Sequence, residues 1–104
     1  MDAVKGVLQE ELEYELKVRE RYEEALLALP KGSLSKKRIG GRDYFYLAHR
    51  EGPTIKTVYV GKADAEEVQA YQANIAKRKR YQRMLKETKR TIRYLKKVLN
   101  VKSA

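Results

Sequence analysis

Three short segments of alternating polar and apolar residues, lying between Leu34 and Gly61, constrain the fold of this chain more than any other feature. A Gly40-Gly41 pair separates the first two segments, and the stretch from Glu51 to Thr54 separates the last two. Paired glycines suit a tight two-residue hairpin turn, and alternation of this length is typical of strands with one buried face. The stretch therefore predicts an antiparallel meander with strands near residues 34–39, 43–50 and 55–61.

The two turns also predict which side chains share a face of the sheet. If Ile39 pairs with Arg42 and Arg50 pairs with Ile55, Phe45 lies opposite Val60. One face, which we call the core face, then carries the apolar side chains Leu34, Phe45, Leu47, Val58 and Val60. The other face carries Ser35, Lys37, Tyr44, Tyr46, Arg50, Thr57 and Tyr59.

A long amphipathic helix is predicted on each side of the meander. From Asp2 to Leu29 apolar residues recur at mostly three- and four-residue steps, and Pro30 ends the pattern. The second helix is predicted over residues 64–101, where Asp64 and Glu67 have capping-box spacing and an apolar seam follows from Val68 onward.

The predicted fold class is thus α+β, with a long N-terminal helix, a three-stranded antiparallel meander and a long C-terminal helix. We expect one domain over residues 1–104, composed of an acidic helix (2–29), the meander (33–61) and a basic helix (64–101). The two helices are expected to form an antiparallel hairpin.

The net charge of +10 is distributed unevenly. Residues 1–30 carry a net charge of −4, residues 31–62 carry +6 and residues 63–104 carry +8. The run Lys77-Arg78-Lys79-Arg80 also interrupts the seam of the second helix, so at least one of these cations must lie toward the packed side. Either a glutamate of the first helix (Glu11, Glu15 or Glu20) meets it there, or the second helix projects past the first.

Several classes of function are disfavoured by composition. The chain has one histidine, His49, and no cysteine, so a zinc cluster and a Cys/His catalytic pair cannot be built within it. No run approaches the length of a membrane span, and no signal-peptide pattern opens the sequence. We therefore expect a cytoplasmic protein that is not an enzyme and needs no cofactor.

Two resemblances accompany these patterns. The tyrosine-rich segment Tyr44-Phe45-Tyr46-Leu47, the Val58-Tyr59-Val60-Gly61-Lys62 strand end and the charged helix that follows resemble a group of small uncharacterised basic prokaryotic proteins. The sheet and its following helix also resemble the arm-type, AP2-like DNA-binding module of tyrosine recombinases, whose sheet enters the major groove. That resemblance implies a groove-facing set of Lys37, Arg38, Arg42, Tyr44, Tyr46, Lys56 and Tyr59.

The surplus cations and the sheet tyrosines predict a nucleic-acid-binding protein, with DNA favoured over RNA. The candidate interface comprises Lys37, Arg38, Arg42, Tyr44, Tyr46, Arg50, Lys56, Tyr59, Lys62, Lys77, Arg78, Lys79, Arg80 and Arg83. Simpler explanations stay open, because tyrosines are good strand formers and a run of cations can be a solvated helix face. The alternative function is a helical hairpin for protein interaction or homodimerisation, and adsorption to anionic membranes ranks last.

Overall fold

The computed structural model describes residues 3–100 of the chain. Helix α1 spans Ala3–Ala28, strands β1, β2 and β3 span Ser33–Ile39, Arg42–Glu51 and Thr54–Lys62, and helix α2 spans Glu66–Val98. This order confirms the predicted α+β class, and the strands pair in the antiparallel order β1-β2-β3. The outermost residues of the two predicted helices, Asp2 and Val101, lie outside the described residues.

Contacts within the chain divide it into two compact units. The helical unit consists of Met1–Ala28 with Arg80–Ala104, and the sheet unit is Leu29–Lys79. The boundary in α2 thus follows Lys79. The expectation of a single domain stays a prediction.

The core of the helical unit is a small aliphatic cluster. Leu12 of α1 packs with Ile92 and Leu95 of α2, and Leu8, Leu16 and Leu99 are partly buried against them. Further along α1, the ring of Tyr22 lies 5.8 Å from that of Tyr81, and its hydroxyl donates to the sulfur of Met84 at 3.6 Å. Residues early in α1 therefore contact residues late in α2, which confirms the antiparallel hairpin within this unit. Burial of such leucines contributes about 2 kcal/mol each.

The two hairpin turns of the sheet unit follow from their glycines. Gly40 and Gly41 have φ values of 58° and 79°, the pair of positive angles that a type I′ turn requires. Gly52 has a φ of 60° and precedes a proline with fixed negative φ, which is the type II′ pattern. These turns give the expected pairs Ile39 with Arg42 and Arg50 with Ile55.

The predicted pairing of Phe45 with Val60 is wrong. The register of β2 and β3 shifts between Phe45 and Tyr46, so that Phe45 lies opposite Gly61 and Val60 is the extra residue of a β-bulge. The buried Gly61 has no room for a side chain, since an added Cβ would lie 2.9 Å from the Cβ of Ala65 and 3.5 Å from Val68. The bulge therefore brings a glycine, rather than Val60, to the point where the start of α2 crosses the strand. Val58, placed by prediction in the core, is 53% exposed on the edge strand.

The N-cap of α2 lies one residue after Asp64, the first residue of the predicted capping box. The main-chain N–H of Gln69 donates to the carbonyl of Ala65 at 3.1 Å, which makes Ala65 the N-cap residue in place of Asp64. Glu66 and Glu67 occupy the first turn, where the helix dipole favours carboxylates. Beyond this turn the predicted apolar seam is confirmed by the buried Val68, Ile92 and Leu95, and the buried Thr88 lies on the same side of the helix.

Candidate nucleic-acid interface

One face of the sheet collects seven of the predicted interface residues. The register of the three strands places their side chains on the same side, opposite to the buried Phe45. We call this side the tyrosine face. Its members from the candidate set are Lys37, Arg42, Tyr44, Tyr46, Arg50, Tyr59 and Lys62.

The three tyrosines of this face contact one another. The rings of Tyr46 and Tyr59 lie 5.5 Å apart with an interplanar angle of 62°, and those of Tyr44 and Tyr59 lie 6.3 Å apart at 47°. These are the edge-to-face and tilted arrangements that the ring quadrupole favours. Tyr44 and Tyr46 are half-buried, whereas Tyr59 is 51% exposed. The cluster is thus a partly exposed aromatic surface at the middle of the face.

Cations surround this aromatic cluster at defined register positions. Tyr44 lies directly opposite Lys37 on β1 and directly opposite Lys62 on β3, so a lysine flanks it on each side. The ammonium of Lys37 lies 5.0 Å from the centroid of the Tyr46 ring, within the range of a cation–π interaction. Arg42 and Arg50 lie toward the two ends of β2. All four cationic side chains are exposed.

Small residues extend the tyrosine face beyond the aromatic cluster. Ala48 of β2 lies opposite Ser33 of β1 and Thr57 of β3. None of these side chains is long enough to project past the tyrosine rings. The face therefore presents aromatic rings and small side chains at its middle, with long cationic side chains and the exposed Ile39 and Ile55 around them.

The acidic residues of the strands both lie on the core face, where cations meet them. Asp43 has the guanidinium of Arg38 at 3.8 Å. Glu51 has the ammonium of Lys56 at 3.0 Å and Nε2 of His49 at 3.1 Å. Hydrogen bonds from Lys56 and then from His49 hold the pKa of the Glu51 carboxyl below its ordinary value. His49 thus belongs to a cluster of polar side chains with Glu51 and Lys56.

This arrangement separates the charges of the sheet by face. Along the three strands, the tyrosine face carries four cations and no acid, while the core face carries both acids, each beside a cation, together with Lys36. It also divides the groove-facing set implied by the recombinase resemblance, because Arg38 and Lys56 lie on the core face. The separation of acids from tyrosines could be predicted from the sequence. Asp43 and Glu51 are odd-numbered residues of β2 and its tyrosines are even-numbered, and successive side chains of a strand point to opposite faces.

Arg78, in the cationic run of α2, has a structural contact. Arg78 is half-buried, and its Nη1 donates a hydrogen bond to the carbonyl oxygen of Gly32 at 3.2 Å. This confirms that a cation of the run faces the packed side, but the acceptor is a main-chain carbonyl and not one of the three proposed glutamates. Gly32 has a φ of 121°, and an added Cβ there would lie 2.9 Å from Leu47. Sequence reasoning missed this glycine as the partner because a backbone acceptor carries no charge signal.

The other cations of this run, and Arg83 after it, are divided between the two units. Lys77 and Lys79 are exposed residues of the sheet unit, and Arg80 and Arg83 are exposed residues of the helical unit. The Arg80 guanidinium lies 5.8 Å from the centroid of the Tyr81 ring. Further along, a shallow groove of about 290 Å³ is lined by Gln82, Leu85, Lys86, Lys89 and Arg93. The C-terminal part of α2 therefore presents a second cationic surface within the helical unit.

Residues 3–100 contain neither a metal-binding cluster nor a membrane-spanning helix. In that range no group of three or more His, Cys, Asp or Glu side chains is placed to hold a metal ion. Neither described helix has a stretch long and apolar enough to cross a bilayer.

Comparison with known proteins identifies the family. The model of the family described as Domain of unknown function (DUF6788) matches residues 8–70, which is more than half of the chain. The chain belongs to the DUF6788 family. The match to DUF6788 includes most of α1, the whole sheet and the first turn of α2, and hence every residue of the tyrosine face. It ends before the cationic run that begins at Lys77.

The DUF6788 match agrees with the predicted resemblance to a small uncharacterised family. No curated protein and no solved structure matches the chain. The resemblance to the recombinase DNA-binding module stays a prediction.

Proposed function

We propose that this DUF6788 protein is a non-enzymatic nucleic-acid-binding protein of the cytoplasm. The observation that carries the proposal is the separation of charge on the sheet, where four exposed cations surround three tyrosines on a face whose strands supply no acid. Cations that only keep a protein soluble need no such arrangement. Here the two acids of the strands lie on the other face and have cationic partners there.

The proposed mechanism is capture of phosphates by this face. Lys37, Lys62, Arg42 and Arg50 would each neutralise a phosphate and release its condensed counterion. Arginine can also contact a phosphate with two parallel hydrogen bonds, which orients the backbone as well as attracting it. The tyrosines between these cations would contact the sugars and bases. DNA is preferred over RNA because of the resemblance to the recombinase module, although both polymers offer the same phosphate chemistry.

The cationic surface of the helical unit would add attraction that does not depend on sequence. Arg80, Arg83, Lys86, Lys89 and Arg93 are all exposed on α2, and Glu87 is the single acid between Arg80 and Lys97. Such a surface raises the local concentration of a polyanion and its rate of association. Contacts of this kind position a nucleic acid without reading its bases.

A salt series tests this function. Fluorescence anisotropy with labelled duplex DNA, single-stranded DNA and RNA should show binding at about 50 mM salt that weakens steeply by about 200 mM. Four phosphate contacts by the tyrosine face alone predict a slope of log K against log salt of about −3 to −4. Absence of binding to all three polymers at low salt, or binding insensitive to salt, would overturn the proposal.

A second candidate function is homodimerisation through the helical unit. It is favoured by exposed apolar residues outside the Leu12 cluster: Val7 and Tyr14 of α1 are 63% and 57% exposed, and Tyr94 and Val98 of α2 are 64% and 48% exposed. A second copy is the proposed occupant because α1 is acidic and this part of α2 is basic. An antiparallel pair of copies would place each α1 against the α2 of its partner, with opposite charges beside the apolar residues.

Sedimentation velocity separates the two candidates. A dimer that forms with rising concentration, and that is weakened by Tyr94→Ala, together with no affinity for nucleic acid, would favour the second function. A monomer at all concentrations that binds nucleic acid would favour the first. The matched control is Leu27→Ala, since Leu27 is also exposed, at 77%, but lies near the other end of α1.

A further inference from the structure

The residue types at the middle of the tyrosine face bear on which form of nucleic acid it would bind. Sequence-specific readers of the major groove present Arg, Lys, Asn or Gln to base edges. Here the middle of the face holds Tyr44, Tyr46 and Tyr59 with Ala48 and Thr57 beside them, and the arginines lie toward the strand ends. These central side chains have few groups suited to paired hydrogen bonds with base edges. They have large ring faces.

An aromatic ring can stack only on a base that is not already covered on both sides by other bases. In a duplex each base is covered by its neighbours, whereas an unpaired base can lie against an aromatic ring, whatever its sequence. Tyr59 offers the most exposed ring of the cluster, and its contacts with Tyr44 and Tyr46 hold it in place before any ligand arrives. A ring already fixed by its neighbours loses little conformational entropy on binding.

Lys37 places a cation beside the tyrosine rings, where it could hold a backbone phosphate. Its ammonium lies 5.0 Å from the Tyr46 ring centroid, an interaction of the kind that contributes about 0.5–1 kcal/mol at an exposed site. A phosphate can readily displace so weak a contact, which would move the ammonium away from the ring and leave Tyr46 open to a base. On the other side of Tyr44, Lys62 is positioned to hold a second phosphate.

We propose that the tyrosine face binds single-stranded nucleic acid, with unpaired bases stacked on Tyr59 and Tyr46 and the backbone phosphates held by Lys37 and Lys62. This rests on the proposed nucleic-acid-binding function and makes it more specific, by naming unpaired bases as what the sheet recognises. The small side chains of Ala48 and Thr57 leave space beside the rings for the base that follows.

The test compares strands of equal charge that differ in their bases. The full chain is titrated with labelled single strands of about 15 nucleotides as DNA and as RNA, with an abasic strand of the same length, and with a duplex. The base-containing strands should bind about tenfold or more tightly than the abasic strand, and more tightly than the duplex despite its higher charge density. The DNA and RNA strands show whether the sugar matters to this preference.

Substitutions of Tyr59 test whether the base-dependent affinity requires its ring. Tyr59→Leu keeps apolar bulk but removes the ring, and should weaken binding of the base-containing strand by about 5- to 150-fold while leaving the abasic strand unchanged. Tyr59→Phe keeps the ring and should retain most of the affinity. Tyr14→Ala is the matched control, because Tyr14 is also exposed, at 57%, but lies on α1. Thermal unfolding of each variant shows that it is folded.

The outcomes distinguish this inference from the broader function. If the abasic strand binds as tightly as the base-containing strand, or if Tyr59→Leu binds like the unchanged chain, the proposed stacking of bases is wrong. Phosphate capture by the cations is not contradicted by either result. If no strand and no duplex binds at low salt, both proposals fail. A base-dependent affinity that disappears with the Tyr59 ring, and only with it, supports both.

Discussion

The guanidinium of Arg78 donates a hydrogen bond to the main-chain carbonyl oxygen of Gly32, 3.2 Å away and 46 residues earlier in the chain. The bond ties the segment that precedes β1 to helix α2 within the sheet unit. Because Gly32 also packs against Leu47, the same residue links α2 to the middle strand. A side chain predicted to serve a ligand is therefore used to hold the fold together.

We expect Arg78→Ala to lower the free energy of unfolding by about 1–2 kcal/mol, since it removes a charged donor from a partly buried carbonyl. The matched control is Lys79→Ala, the neighbouring exposed cation, which should change stability by less than about 0.5 kcal/mol. Urea unfolding followed by circular dichroism measures both. Equal effects of the two substitutions would contradict the structural role of Arg78.

The hydrogen bond of Arg78 also determines which cations are suitable for testing binding. Neutralising the whole run from Lys77 to Arg80 would alter folding and charge at once. Cations without a structural hydrogen bond of this kind, such as Lys37 and Lys62 on the sheet, give a cleaner reading of the electrostatic contribution to binding.

Gly61→Ala should be destabilising for a steric reason. An added Cβ would lie 2.9 Å from the Cβ of Ala65, which has no rotamer through which to move away. Overpacking of this kind costs about 1–3 kcal/mol, and we expect thermal unfolding to occur at a correspondingly lower temperature.

Gly6→Ala is the control for the same chemical change. Gly6 lies within α1 and has no atom within 4 Å of the added Cβ, so alanine should stabilise the protein by about 0.5 kcal/mol. Opposite signs for the two substitutions are the expected result. A neutral or stabilising Gly61→Ala would show that α2 does not approach β3 as closely as described.

The lowered pKa of Glu51 predicts how the thermal stability of the protein changes with pH. Its pKa is lowered from 4.5 in the folded state by Lys56 and His49. A carboxyl with a lowered folded pKa contributes stability that is fully present above 4.5 and is lost as the pH falls through the lowered value. The melting temperature should therefore fall less between about pH 7 and about pH 3 in Glu51→Gln than in the unchanged chain.

Lys56→Gln removes the largest cause of the Glu51 pKa shift and should reproduce part of this flattening. If the pH profiles of both variants coincide with that of the unchanged chain, the His49–Glu51–Lys56 cluster does not form in solution. The effect should be modest, because the carboxyl is exposed and solvent screens the ion pair.

The parts of the fold that could be predicted are those fixed by local patterns. Gly40, Gly41 and Gly52 set the two turns, and the turns set the register over most of the sheet. The apolar steps of α2 predicted its buried side from Val68 to Leu95. In each case the residues that determine the structure are neighbours in sequence.

The parts that could not be predicted depend on contacts between distant residues. The bulge at Val60 follows from the close approach of Gly61 to the start of α2, which alternation along a strand does not reveal. The partner of Arg78 was missed because it is a backbone carbonyl, available at any residue of the chain. At the candidate site, alternation correctly grouped Tyr44, Tyr46 and Tyr59. The same alternation in β2 places Asp43 and Glu51 together on the opposite face, although their cationic partners there became evident only with the structure.

The central claim is that cations of the tyrosine face, and not those of the core face, contact nucleic acid. Two double variants test it, because each removes one positive charge from β1 and one from β3. Lys37→Gln with Lys62→Gln alters the tyrosine face, and Arg38→Gln with Lys56→Gln alters the core face.

The decisive measurement is the salt dependence of single-strand binding by these two variants and the unchanged chain. The tyrosine-face variant should bind about tenfold more weakly at low salt, with a slope reduced in magnitude by about 1.4 for two lost phosphate contacts. The core-face variant should stay within about twofold of the unchanged chain, with the same slope. Equal losses in the two variants, or a larger loss in the core-face variant, would contradict the account.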